Sequence, residues 1–151
     1  MALTLDAEVE VKSPADVFWR DLRESTTLFP KVFPEDYKSI SVVEGDGKAP
    51  GSVRVFHYGE GSPLVKVSYE KIGEVDEEKK LVTYSIIDGD LLKYYKNFKG
   101  TITVVPKGEG SLVKWNCIFE KASPEVPDPH VIKDFAIKNF VELDEFIRKA
   151  E

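Results

Sequence analysis

Apolar and polar residues alternate from the start of the chain. In "LTLDAEVEV", Leu3, Leu5, Ala7, Val9 and Val11 fall on one side and Thr4, Asp6, Glu8 and Glu10 on the other. A period of two predicts a half-buried strand. "SPADVFWRDLRE" breaks the pattern: Ser13 suits a helix N-cap, Pro14 the first helical position and Asp16 the first-turn dipole, which predicts a short helix over roughly 14–24. A second short helix is expected at "STTLFPKV", limited by Pro30 and Pro34. Six strand-like runs follow: "YKSISVVEG", "SVRVFHY", "PLVKVSYEKIGEVD", "LVTYSIIDGD", "YYKNFKGTITVVP" and "SLVKWNCIFEK". The short connections "DEEKK" and "KGEG" join neighbours as hairpins, which favours antiparallel pairing. After the proline-rich "ASPEVPDP", the period changes again. Ile132, Phe135, Ala136, Asn139, Phe140, Leu143, Phe146 and Ile147 recur at helical spacing, with Asp128 and Pro129 as cap and first position of a helix of about 20 residues.

These elements predict an α+β fold. A seven-stranded antiparallel sheet has an apolar face to cover, and the last helix is the one long amphipathic element available. A sheet curved around that helix, with two short helices closing one end, is the economical arrangement, and it leaves room for a cavity. The 151 residues make one ordinary domain, 1–151, without internal repeats, low-complexity segments or domain linkers.

Composition narrows the function. Hydrophobic residues make up 42% and charged residues 32%, as in globular proteins that fold in water, and the net charge is −6. No basic stripe suggests a nucleic-acid partner. A lone Cys117 excludes an intrachain disulfide and a Cys-rich zinc site; with two well-separated histidines, His57 and His130, no metal site and no cofactor are expected. The first residues lack the basic flank and apolar block of a signal peptide, and no run approaches the ~20 apolar residues of a membrane span, so a cytoplasmic protein without membrane attachment is expected.

The loop in "EGDGKAPGSVRVFHY" has the glycines and lysine of a phosphate cradle, but its lysine precedes the last glycine and a strand pattern follows instead of a helix. A hairpin loop is the better reading, with Gly45, Gly47 and Gly51 supplying positive φ and Pro50 stiffness. Elsewhere, alternation proposes faces for the interior. Val113, Trp115, Cys117 and Phe119 share one, with Cys117 as a small buried hydrophobe rather than a nucleophile. Val82, Tyr84, Ile86 and Asp88 form another, in which Tyr84 could offer its hydroxyl to a ligand or donate a proton. Val65, Val67, Tyr69 and Lys71 form a third, and Phe98, Ile102 and Val104 a fourth, with Gly100 leaving space among them. Along the last helix, Phe135 and Asn139 are expected at the sheet, Asn139 either orienting a ligand or sitting at the edge of the stripe.

Two segments carry a family resemblance. "LFPKVFPEDYKSISVVEGDGKAPGSV" resembles the plant Bet v 1-like (pathogenesis-related class 10) superfamily, and "EKIGEVDEEKKLVTYSIIDGDLLKYYKNFKGTI" its major latex protein branch more closely. The resemblance spans essentially the whole chain. It implies the helix-grip fold, a large internal cavity and a hydrophobic small-molecule partner of steroid, terpenoid, flavonoid or alkaloid type, in a plant defence or specialised-metabolism setting. A few relatives of this kind are enzymes, so a cofactor-independent cyclase or isomerase is the alternative; a ribonuclease, proposed for some members, fits this acidic chain poorly. The resemblance also points Arg54, Phe56 and Tyr58 inward, where residue pattern alone leaves the strand's face open, and it puts Asp21 near a cavity-facing position. The expected ligand-binding set is therefore Arg54, Phe56, Tyr58, Val67, Tyr69, Tyr84, Ile86, Phe98, Trp115, Cys117, Phe135 and Asn139, with Tyr84, Asp21 and Arg54 as catalytic candidates. A monomer or weak dimer is expected.

Overall fold

The computed structural model describes residues 2–62 and 65–150. In chain order the elements are β1 (Leu3–Val11), α1 (Ala15–Arg23), α2 (Ser25–Val32), β2 (Tyr37–Glu44), β3 (Val53–Tyr58), β4 (Val67–Asp76), β5 (Leu81–Gly89), a 3₁₀ turn (Asp90–Lys93), β6 (Tyr95–Lys107), β7 (Gly110–Lys121) and α3 (His130–Ala150). The strands form one sheet in the order β1-β7-β6-β5-β4-β3-β2, antiparallel throughout. Consecutive hairpins therefore build most of it. The exception is β1, which pairs with β7, so β1 and β2 are neighbours in sequence but lie at opposite edges. The two short helices fill that connection.

Register explains the interior. Directly opposed residues of an antiparallel pair share a face. Leu5 opposes Cys117, which opposes Gly100, which opposes Tyr84; Ala7, Trp115, Ile102 and Val82 form the next row. The alternation predicted for β1, β5, β6 and β7 thus becomes continuous rows across the concave face. Trp115, Cys117, Phe119, Val113 and Val104 are all but inaccessible there.

The last helix closes this face and ties the two sheet edges together. Near its C-terminal half, the buried Asp144 accepts the Ser13 amide (2.8 Å), the Ser13 hydroxyl (2.5 Å) and the Lys12 amide (3.3 Å), just beyond the end of β1. Burial works against the charged form of Asp144, but these bonds outweigh it and hold the carboxyl below its ordinary range. One and a half turns earlier, Lys138 and Asn139 donate to the buried Asp36, just before β2, at 2.9–3.0 Å. Phe18 of α1 meets Phe140 edge-on at 6.3 Å.

Several local expectations change. Ser13 is not a side-chain cap: Pro14 occupies the cap position of α1 without a side-chain hydrogen bond, and the Ser13 hydroxyl goes to Asp144 instead. Pro30 does not end α2, which runs through it to Val32, giving up one backbone donor in a short helix. Pro129 precedes α3, and Asp128 pairs with Lys121 at 2.9 Å. Asp90, read as the end of a strand, opens the 3₁₀ turn and accepts the Lys66 and Val67 amides at 2.9 and 3.0 Å. The fourth strand was expected from Pro63; Pro63 and Leu64 lie outside the described residues, and β4 begins at Val67.

The largest correction is the face of β4. Arg54 opposes Glu70 and Phe56 opposes Ser68, so once β3 turns Arg54 and Phe56 inward, Ser68 and Glu70 turn inward with them. Val67, Tyr69 and Lys71 fall on the outer face. The register shift between Tyr69 and Glu70 in the pairing with β5 marks the same stretch as irregular.

Candidate ligand-binding site

A pocket of about 150 Å³ lies between the concave face of the sheet and α3. Its wall is mostly apolar and aromatic. Phe29, Tyr37, Phe56, Tyr58, Tyr84, Phe98, Trp115 and Phe135 line it, with Val65, Ile72, Ile86 and Leu91 between them. Tyr37 is the hub of the aromatic group: its ring lies 5.5 Å from Tyr58, 5.6 Å from Phe29, 5.7 Å from Phe135 and 6.2 Å from Phe56. The volume is below the ~300–1,000 Å³ of a drug-sized site.

Of the expected set, Arg54, Phe56, Tyr58, Tyr84, Ile86, Phe98, Trp115, Phe135 and Asn139 line this pocket. Four expected residues do not. Val67 and Tyr69 lie on the outer face of β4. Cys117 is buried in the row between Leu5 and Gly100, away from the pocket wall, and burial pushes its thiol up to about 12, so it is a packed hydrophobe and no thiolate nucleophile. Asp21, in the last turn of α1, receives Arg20 Nε at 3.2 Å instead of facing the pocket.

Asn139 lines the wall, but its amide is already committed. It accepts the Tyr37 hydroxyl at 2.6 Å and donates to Asp36 at 3.0 Å. It fixes Tyr37 and the helix rather than offering free polar atoms. Burial raises the Tyr37 phenol well above its ordinary value, with smaller contributions from neighbouring acids and tyrosines.

Tyr84 crosses Gly100 on the neighbouring strand. A Cβ at Gly100 would overlap the Tyr84 ring and hydroxyl, so the absence of a side chain there is what lets the phenol lie flat across β6. The Tyr84 oxygen accepts the Trp115 indole N–H at 3.1 Å. Burial and the nearby Glu70 push the Tyr84 phenol up, and burial does the same to Tyr58.

Sequence reading missed Glu70, the one acid among the described residues of the wall. Burial drives its carboxyl up to about 7, against the opposing pull of Arg54, whose guanidinium nitrogen lies 3.6 Å away. The signal that could have found it is the β3–β4 register: an inward Arg54 requires an inward partner on the next strand. Arg23 and Ser25, from the two short helices, complete this polar end and were also missed.

The glycine loop lies beside the two arginines of the same end, its Lys48 carbonyl accepting from Arg23. Gly45, Gly47 and Gly51 have φ of 76°, 84° and 89°, the region expected of them. The Asp46 carboxylate accepts the Lys48 and Ala49 amides at 2.8 Å each and the Ser52 hydroxyl at 3.1 Å; the two amide bonds above all hold its carboxyl down to about 2. Lys48 pairs with Glu24. The amides and lysine that would cradle a phosphate are thus taken up within the protein.

The model of the pathogenesis-related protein Bet v 1 family matches residues 1–150. MLP-like protein 423 of Arabidopsis thaliana is 62% identical over 145 residues, 96% of this chain and 94% of that protein. The crystal structure of ginseng major latex-like protein 151 from Panax ginseng superposes with a TM-score of 0.84 at 27% identity, over 96% of this chain and 97% of the other. Norcoclaurine synthase from Thalictrum flavum, in complex with dopamine and hydroxybenzaldehyde, shares the fold at a TM-score of 0.78 and 20% identity, over 100% of this chain and 89% of the other.

Proposed function

The chain belongs to the pathogenesis-related protein Bet v 1 family, in its major latex protein branch, and on that footing we propose that its pocket binds a small, largely apolar plant metabolite. The observation that carries this reading is the aromatic wall itself: a row-built concave face whose large side chains surround space instead of filling it. Of the ligand types expected, the pocket volume favours compact ones. A steroid skeleton would have to displace lining side chains, whereas a one-ring phenolic or monoterpenoid body would not. Apolar burial supplies the affinity, at ~25 cal/mol per Å² before the cost of association. Trp115 on the wall provides the readout. Titration with a panel of steroids, terpenoids, flavonoids and alkaloids is expected to change its fluorescence at micromolar concentrations. A flat response across the panel, with calorimetry equally silent, would remove the proposal.

A second reading is favoured by Glu70. A buried carboxyl that titrates near neutrality, in an apolar pocket with Tyr84 and Tyr58, has the properties of a general acid or base. The corresponding activity is a cofactor-independent cyclisation or isomerisation, with the pocket folding the substrate and excluding water. Product analysis with and without the protein tests it. Full turnover in both Glu70→Gln and Tyr84→Phe would dismiss these residues as proton carriers.

A further inference from the structure

One end of the pocket holds two arginines whose buried donors are not all paired. Arg54 spends one terminal nitrogen on the Ser25 hydroxyl (2.8 Å) and, more weakly, on Thr26 (3.3 Å); the other lies 3.6 Å from Glu70, and the guanidinium stacks over Phe56 at 4.9 Å. Its Nε–H is buried and has no hydrogen-bond partner. Arg23 repeats the arrangement. One terminal nitrogen donates to the Lys48 carbonyl in the glycine loop at 2.5 Å, and the guanidinium lies over Trp19 at 5.7 Å. Its Nε is likewise buried without a hydrogen-bond partner, the nearest carboxylate being the largely exposed Glu77 at 3.7 Å. Both arginines line the pocket; burial lowers the Arg54 pKa against the pull of Glu70, with a smaller contribution from Arg23. Glu70 is the sole acid among the described lining residues. Buried donors without acceptors are rare in folded proteins and mark a place where a partner is missing.

We propose that this end of the pocket is an anion subsite, in which Arg23 and Arg54 receive the carboxylate of a small ligand whose apolar body lies against Phe56, Tyr84, Trp115 and Phe135. This rests on the reading of the pocket as a small-molecule site and adds the class of ligand: a compact aryl or terpenoid acid. The glycine-rich loop acquires a role in holding Arg23 through the Lys48 carbonyl, and it packs near Arg54 at Gly47, where a Cβ would fall 4.0 Å from Arg54 Cδ and 2.8 Å from Val42.

Glu70 couples the subsite to pH. The groups facing it are Arg54 and Tyr58 from β3, Tyr84 from β5 and Tyr37 from β2, with Arg23 of α1 beside Arg54. The wall residues of α3, namely Ile132, Phe135, Ala136, Asn139 and Phe140, carry no titratable group. With its carboxyl at about 7, Glu70 is neutral below that pH and leaves Arg54 free for the ligand. Above it, the Glu70 carboxylate competes for Arg54 and repels the incoming anion. Binding a carboxylate therefore takes up a fraction of a proton onto Glu70, about half at pH 7 and approaching one above it, and affinity falls as pH rises through about 7, by up to tenfold per pH unit.

The test is calorimetric titration of 3-phenylpropanoate against the neutral 3-phenylpropan-1-ol, at about pH 6 and about pH 8, each in two buffers of different ionisation enthalpy. The acid is expected to bind about tenfold more tightly than the alcohol at the lower pH, with that advantage shrinking at the higher pH and with proton uptake visible in the buffer dependence. Arg23→Gln is expected to weaken the acid about tenfold more than it weakens the alcohol; it provides the charge test even where Arg54→Gln does not fold. Glu70→Gln is expected to give a flat pH profile for the acid. Equal binding of acid and alcohol, or an acid affinity indifferent to Arg23→Gln, would sink the subsite and leave the apolar pocket standing. Failure of both ligands at millimolar concentration, alongside a silent metabolite panel, would remove the pocket reading as well.

Discussion

At the scale of single residues, Gly100 and Glu70 carry the most information. Gly100→Ala would drive a methyl group into the Tyr84 ring, displacing the phenol and depriving the Trp115 indole of its acceptor. A loss of about 1–3 kcal/mol is expected in chemical denaturation, as for overpacking combined with a broken buried bond. Tyr84→Ala should relieve the overlap, so Gly100→Ala introduced on that background is expected to cost much less. Additive losses in the cycle would show that the two residues do not meet. Glu70 makes a prediction of opposite kind. Its folded-state pKa, about 7, lies above the ordinary 4.5, so between these values the folded protein holds a proton that the unfolded chain releases. The stabilisation from this group is complete below about pH 4.5 and is lost as pH rises through about 7, a change of roughly 3 kcal/mol in all. Denaturant midpoints compared at about pH 5 and about pH 8 should show a smaller difference in Glu70→Gln than in the parent. An unchanged difference would assign the slope to other groups.

At the scale of elements, α3 behaves as a bar clamped at two points. Asp36 holds it beside β2 through Lys138 and Asn139, and Asp144 holds it beside β1 through Lys12 and Ser13. Removing one carboxylate leaves buried donors unpaired, at about 1–3 kcal/mol each. Asp36→Ala is expected to accelerate hydrogen exchange in the first half of α3 while the second half stays protected; Asp144→Ala should do the reverse. Uniform acceleration along the helix in both variants would mean that the clamps are not separate. This scale also shows where pattern reading stops. The faces of β1, β5, β6 and β7 follow from their alternation because one side of each is plainly more apolar. In "VKVSYEKI" Val65 lines the pocket, but from Val67 the apolar side, with Val67 and Tyr69, points outward, and the side carrying Ser68 and Glu70 points in. Hydrophobicity picks the wrong face because two polar residues are needed inside. Only the pairing with β3 reveals it.

At the scale of the molecule, the sheet and α3 hold large side chains around space, and a ligand that fills it should stabilise the whole. At a free concentration of about 100 times Kd the gain is about 2.7 kcal/mol, or roughly 5–10 °C in Tm for a chain of this size. Scanning fluorimetry with the tightest binder of the metabolite panel checks this, and an unmoved Tm at saturating ligand would mean that binding occurs outside the folded pocket. Among the described residues, no helix is long and apolar enough to cross a membrane. The family match over residues 1–150 accords with an architecture built from the whole chain, not from one segment.

The sequence by itself determined the elements and their antiparallel pairing, because hydrophobic period, turn chemistry and helix stripe are local properties that each segment carries alone; the family followed from the resemblance of two segments to known members, and the pairing of β1 with β7 came only with the fold. It also favoured a hairpin loop over a phosphate cradle for the glycine segment, since motif order and the following strand pattern are local too. The tertiary structure decided which polar groups meet. Ser13 left its expected cap for Asp144, Asn139 gave its amide to Asp36 and Tyr37, and Glu70 came to face Arg54. Each of these contacts joins residues distant in the chain or depends on strand register, and its strength comes from exclusion of water at a place no single segment encloses. The loop that resembles a nucleotide site therefore ends as a support for Arg23 beside Arg54, a position visible only once α1 and β3 are brought together.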